Sequence, residues 1–257
     1  MTEPILTVHN CTMRFGGLTA VKNFSLQLMP QELVGLIGPN GAGKTTVFNL
    51  LTGIYRPTEG QIIFRGRNIT GWKTYRIARL GIARTFQNIR LFRSLTVLEN
   101  VKAGARIHMR TGLWDAAWRT YPMLCEEEQV HAEAWRILQE IGLDDVAHYR
   151  AGDLPYGEQR RLEIARALAM HPYLLLLDEP AAGMNPQETA HLMELIRRLR
   201  DEYGLTILLI EHDMKVVMGI CERIVVLDYG EEIAQGTPEQ IRTNPRVIAA
   251  YLGEAPA

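Results

Sequence analysis

The nine residues "GPNGAGKTT", 38–46, fit the phosphate-loop pattern, with Gly38, Gly43, Lys44 and Thr45 at the required spacing. Glycines let the main chain through Pro39, Asn40, Gly41 and Ala42 wrap an anion with its N–H groups, and a helix start adds a positive partial charge. Lys44 then reaches the terminal phosphates, Thr45 offers magnesium a hydroxyl, and Thr46 continues the first turn. The flanks agree: the continuous apolar run "LVGLIG", 33–38, reads as a buried strand, and "TTVFNLLTG" beyond it as a helix. The pattern in this setting predicts a nucleoside triphosphate site with magnesium.

Two further runs behave like the first. "LLLLDE", 174–179, and "TILLIEH", 206–212, are continuous rather than alternating, as expected of parallel strands covered on both faces. Ligands of open α/β sheets bind beyond the carboxyl ends of such strands, so the three endings form one candidate site assembled from distant sequence. Asp178 leaves the second run placed to hold magnesium. Glu179, pointing the other way on an extended chain, is placed to deprotonate an attacking water. Away from a phosphate loop, the same acidic pair could equally cap a turn. His212 ends the third run and is open to two readings, a donor to the γ-phosphate or a structural residue. Gln87, in "TFQ", is a weaker signal, and Phe15, in "MRFGG", could stack on a base or belong to the core.

Earlier segments, "ILTVHN", "FSLQL" and "QIIFRGRNI", alternate in strand fashion, and the "RGRN" within the last has hairpin turn chemistry, which predicts a small antiparallel piece. Residues of about 89–170 read as mostly helical. Within them "LPYGEQRR", 154–161, looks like a loop opening onto a helix, a second anion site far from the first. Along that helix Leu162, Ile164, Ala165, Leu168 and Ala169 fall on one face, and the expectation is that Arg160, Arg161 and Glu163 occupy the solvent face. The aromatic-bearing stretch "RTGLWDAAWRTYP" joins two helices and is read as local packing or as an exposed partner patch.

Composition narrows the function classes. In 257 residues, 47% hydrophobic, 28 Lys plus Arg face 29 Asp plus Glu, so no charge excess of the kind that binds polyanions is present and nucleic acid is not the expected partner. Cys11, Cys125 and Cys221 lie far apart, the pattern of reduced thiols. The start, "MTEPILTVHN", lacks the basic and apolar regions of a signal peptide, and no apolar run approaches the ~20 residues of a membrane-spanning helix. A guanine-reading Asn-Lys-x-Asp element is missing, which argues against a GTPase.

Taken in order, "GPNGAGKT", "TFQ", "LPYGEQRR", "LLLLDEP" and "IEHD" resemble the nucleotide-binding domain of ATP-binding cassette proteins over essentially the whole chain. The resemblance implies one α/β domain: a P-loop NTPase (RecA-like) core with a small antiparallel β subdomain, about 1–88 and 171–257, and a helical signature subdomain, about 89–170. It also implies that two such domains pack head to tail. Gly157 and Glu158 of one chain would then close over ATP held by the other, and Gln87 would sense magnesium beside a permease groove. The signature departs from the family's Leu-Ser-Gly-Gly-Gln, with Pro155, Tyr156 and Glu158 in place of serine, first glycine and glutamine, and Asn185 stands where aspartate is common.

More closely, "RTFQNIRLFRSLTVLENV", "LLIEHDMKVVMGICERIVVLD" and the ending "AYLGE" look like the ATPase subunits of bacterial branched-chain amino-acid importers. That implies two permease subunits, a second related ATPase or self-dimer, a periplasmic binding protein as indirect partner, and a peripheral place on the cytoplasmic face of the inner membrane. Relatives that import urea or amides or extract lipopolysaccharide are the alternatives. Cassette proteins of translation or repair usually have a second cassette or a long coiled coil, both absent here.

Overall fold

The computed structural model describes residues 3–109, 118 and 120–252. The chain divides into two compact units: residues 1–84 with 173–257, and residues 85–172.

The first unit holds two sheets. One is antiparallel, in the order β2-β1-β4-β5, from β1 (Leu6–Phe15), β2 (Leu18–Leu28), β4 (Glu59–Phe64) and β5 (Arg67–Asn68). Arg65 and Gly66 join the last two strands with φ of 48° and 72°, the paired left-handed geometry of a tight hairpin turn. The other sheet has the order β10-β9-β3-β8-β7-β6. In it β3 (Leu33–Ile37), β7 (Leu174–Asp178) and β8 (Thr206–Ile210) are buried at every residue. Strands β9, β3, β8, β7 and β6 run parallel, and β10 pairs antiparallel with β9. β6 (Ile82–Arg84), β9 (Arg223–Asp228) and β10 (Glu231–Gly236) complete it. Burying each leucine of the 174–177 run contributes about 1.5–3 kcal/mol relative to an exposed side chain, which holds this strand in place between β8 and β6. Helices α1 (Lys44–Leu51) and α2 (Thr74–Leu80) belong to this unit.

The second unit packs α3 (Val97–Ala105), α4 (Tyr121–Ile141) and α5 (Tyr156–Leu168). Residues 86–92 are irregular, and the first helix starts only at Val97, after a capping box in which Thr96 and Glu99 satisfy each other's main-chain N–H groups. Gln87 therefore stands in a loop, ten residues before that helix. Trp118 is exposed; most of "RTGLWDAAWRTYP", and Gly253 and Glu254 of "AYLGE", lie outside the described residues. The expected solvent face of α5 is corrected. Arg160 and Glu163 are both buried, 3.1 Å apart, because each finds partners on the loop that precedes α3.

In the first unit α6 (Pro186–Tyr203) is opened by Asn185, whose side chain accepts from the N–H groups of Gln187 and Glu188. Asn185 is thus a helix cap, a task asparagine performs as well as aspartate. Helices α7 (Met214–Ile220), α8 (Pro238–Arg242) and α9 (Pro245–Leu252) follow.

Candidate nucleotide site

Strand β3 ends at Ile37 and delivers the chain into the loop 38–43. Gly43 has φ of 102°, a conformation side chains resist, and an added Cβ would come to 2.6 Å from the Ala20 carbonyl. Gly38 likewise backs onto the Leu227 carbonyl. Only glycine lets this loop lie against the sheet and still turn into α1. The helix begins at Lys44, so the N–H groups of its first turn face the loop's concavity with no intrahelical acceptor.

The Lys44 ammonium is buried and donates to the carbonyls of Gly38 at 2.6 Å and Pro39 at 2.9 Å. Burial lowers its pKa, while the nearby carboxylates of Glu179 and Asp178 act in the opposite sense. A buried cation, first-turn N–H groups and carboxylates at one strand-end locus are a fit for a triphosphate with a divalent cation. No cluster of three or more His, Cys, Asp or Glu suited to a metal occurs among the described residues. A cation here would be shared between protein oxygens and nucleotide oxygens, as magnesium often is.

Asp178 closes β7 and is almost fully buried. Its Oδ2 accepts from Arg84 Nη2 at 2.7 Å, and Arg84 Nη1 donates to Asn49 Oδ1 of α1, also at 2.7 Å. Glu179 follows with φ of 47°, its N–H donating to the Ile210 carbonyl at 2.9 Å. Across that left-handed turn the two carboxylates meet different partners, Arg84 for Asp178 and His212 for Glu179. His212, just beyond β8, brings Nδ1 to 3.6 Å from Glu179 Oε2.

Beneath them lies Glu211, a buried carboxylate that accepts from the N–H of Ala181 at 2.8 Å and of His212 at 3.2 Å. Burial raises its pKa, and those N–H groups oppose the rise. Phe15 ends β1 partly exposed, in an edge contact with Tyr55 whose ring centroids are 5.1 Å apart. Its surface position leaves the ring accessible rather than packed in the core.

The first unit thus brings together the loop 38–46, Asp178, Glu179 and His212, with Phe15 on the same unit's surface. Gln87, Gly157 and Glu158 belong to the helical unit, where Gln87 is exposed and Gly157 and Glu158 fill the first turn of α5. Arg84 and Glu211 were not singled out from sequence. Their only signal is a charge within or beside a strand that is otherwise apolar.

A strand–loop–helix phosphate cradle, acidic and histidine strand ends, and a helical unit with its own glycine-bearing helix start define an ATP-binding cassette. Known proteins agree. Residues 21–182 match the family described as ABC transporter, and residues 231–257 match that described as Branched-chain amino acid ATP-binding cassette transporter. The chain belongs to the ABC transporter family. It is 53% identical to the high-affinity branched-chain amino acid transport ATP-binding protein LivG of Escherichia coli (strain K12), across 99% of this chain and 100% of that one. It is 51% identical to BraF, the protein of the same description from Pseudomonas aeruginosa, with the same coverage. A lipopolysaccharide export system ATP-binding protein, LptB of Acidithiobacillus ferridurans, is 37% identical over 91% of this chain and 90% of that one. Among solved structures, the ADP conformation of an ATP-binding cassette of an ABC transporter superposes with a TM-score of 0.85 at 30% identity, covering 98% of this chain and 100% of that one.

Proposed function

We propose that this chain binds and hydrolyses ATP with magnesium as the peripheral motor subunit of a bacterial importer for branched-chain amino acids. The observation that carries the chemistry is the convergence of Lys44, Asp178, Glu179 and His212 at the carboxyl ends of β3, β7 and β8. Full-length likeness to LivG and BraF, and the C-terminal match, support the substrate class.

In this reading the main-chain N–H groups between Asn40 and Thr46 hold the phosphates. Lys44 exchanges its bonds to the Gly38 and Pro39 carbonyls for the terminal phosphates, and Phe15 lies against the base. Thr45 and Asp178 hold magnesium, which when bound neutralises charge on the phosphate oxygens, and Gln87 keeps the magnesium-sensing role that the family resemblance implies. Glu179 takes the proton of the attacking water, and His212 orients the same region. A second cassette, self or related, supplies the opposed signature, and this chain's Gly157 and Glu158 serve the partner's ATP. Permease subunits dock at the cytoplasmic face of the inner membrane, and a periplasmic binding protein delivers the solute. Among the described residues no helix is long and apolar enough to cross a membrane, which fits a peripheral role.

Uptake of labelled leucine, isoleucine and valine by cells lacking this chain, with and without complementation, tests the substrate. Restored leucine uptake is expected. Restoration of urea or amide uptake alone, or of lipopolysaccharide export, would reassign it.

A further inference from the structure

The helical unit contains a buried ion pair that packing alone does not call for. Arg160 of α5 is fully buried and directs its guanidinium at main-chain atoms of the preceding loop. Nη1 donates to the Phe86 carbonyl at 2.6 Å, and Nη2 to the Gln87 carbonyl at 2.7 Å. Glu163, one turn further, accepts Nη1 of Arg160 on Oε2 at 3.1 Å. Its Oε1 accepts the N–H groups of Phe86 at 3.3 Å and Arg90 at 3.2 Å. Tyr156, standing where the family signature has its first glycine, places its hydroxyl 3.3 Å from Arg160 Nη2.

A buried ion pair is weak evidence for stability, since apolar side chains of similar volume often serve as well. Here the pair satisfies main-chain groups of a segment that has no regular secondary structure. A planar fork meets two successive carbonyls from two separate nitrogens, a rigid geometry that lysine's single ammonium on a flexible stem does not reproduce. The carboxylate meanwhile holds the same segment by its N–H groups.

We propose that Arg160 and Glu163 fasten residues 86–90 to α5, so that the Gln87 loop and the first turn carrying Gly157 and Glu158 move as one piece. This rests on the ATPase reading above. Arg160 is then a positioning residue: it makes displacement of the signature helix and displacement of Gln87 a single event. Tyr156 adds a third point of attachment that a glycine would lack.

Hydrogen exchange on the full chain, without nucleotide and with MgATP, tests the idea for wild type and Arg160→Lys. The double variant Arg160→Met, Glu163→Met removes both charges should the single one not fold. In wild type the amides of Phe86 and Arg90 should exchange no faster than those of α5. In either variant they should exchange at least tenfold faster, with α5 itself within twofold of wild type. For ATP, kcat should fall at least tenfold while the dissociation constant stays within twofold, a split that general loosening would not give. Loop protection unaltered in both variants, or a freed loop with wild-type kcat, overturns the proposal. A wild type that binds no ATP refutes the ATPase reading, and the exchange comparison still decides whether loop and helix are fastened.

Discussion

Replacing Arg84 by methionine keeps a long side chain and removes the guanidinium from an Asp178 carboxylate whose side chain is 5% exposed. Deleting one partner of such a buried pair costs about 3–5 kcal/mol, chiefly through the charge left behind. The bond to Asn49 and the approach of the guanidinium to the Phe48 ring are lost as well. Unfolding entropy of ~2.1 cal/mol/K per residue over this chain gives roughly 0.5 kcal/mol per degree, so the nucleotide-free Tm should fall by about 6–10 °C. The assay is scanning calorimetry without nucleotide, then with MgATP. Magnesium would restore positive charge beside Asp178, and the gap between variant and wild type should narrow. A double variant, Arg84→Met with Asp178→Asn, should be more stable than Arg84→Met alone, because the buried charge that lost its guanidinium is gone. A single variant within about 2 °C of wild type, or a strictly additive double, would refute the assignment of Arg84 as counterion to Asp178.

Glu179→Gln removes the proposed base while keeping shape; turnover by phosphate release should fall ~10² to 10⁴-fold with ATP affinity near wild type, whereas Lys44→Ala should weaken equilibrium binding itself. Near-normal hydrolysis by Glu179→Gln would transfer the base to another group, His212 first. Glu211 has its folded pKa raised above 4.5 by burial, so its contribution is fully present below the unfolded value and is lost as pH rises through the folded one. The urea midpoint of wild type should therefore fall relative to Glu211→Gln on going from pH 4.5 to neutrality, and a pH-independent difference would contradict the burial argument. Burial pushes the Cys11 thiol up to about 11 and Cys221 to about 12. At pH 8 a thiol reagent should modify Cys125 promptly and the other two only on unfolding, and rapid labelling of all three would contradict the burial of Cys11 and Cys221.

The phosphate loop and the three buried strands were legible because their signals are local: glycines where the chain must turn left-handed, and unbroken apolar runs of strand length. The hairpin at Arg65 and Gly66 was legible for the same reason. Burial of charge was not. Arg160 and Glu163 look like a solvent face because helical periodicity sorts residues by polarity, and their partners lie more than 70 residues earlier in the chain. Arg84 and Glu211 were missed on similar grounds, each being one charge beside an apolar strand. β6 is three residues long, too short for any period to register. The late start of α3 was missed, the helical stretch having been placed from about 89, although Thr96-x-x-Glu99 is a capping signature standing ahead of the helix.

Strand order also governs how this molecule is made. β3, which launches the phosphate loop, pairs with β8 on one side and β9 on the other, and the last of these residues follows Ile37 by about 190 positions. At ~5–20 residues per second of synthesis, an emerging chain carries "LVGLI" without both of its sheet neighbours for roughly 10–40 s. The antiparallel strands β1, β2, β4 and β5 are complete by Asn68 and can form first, but the nucleotide cradle has no floor until Asp228 has left the ribosome. A chain truncated before β9 therefore keeps its whole phosphate-loop sequence and lacks the strand that backs it, so nascent chains of that length should fail to be retained on immobilised ATP.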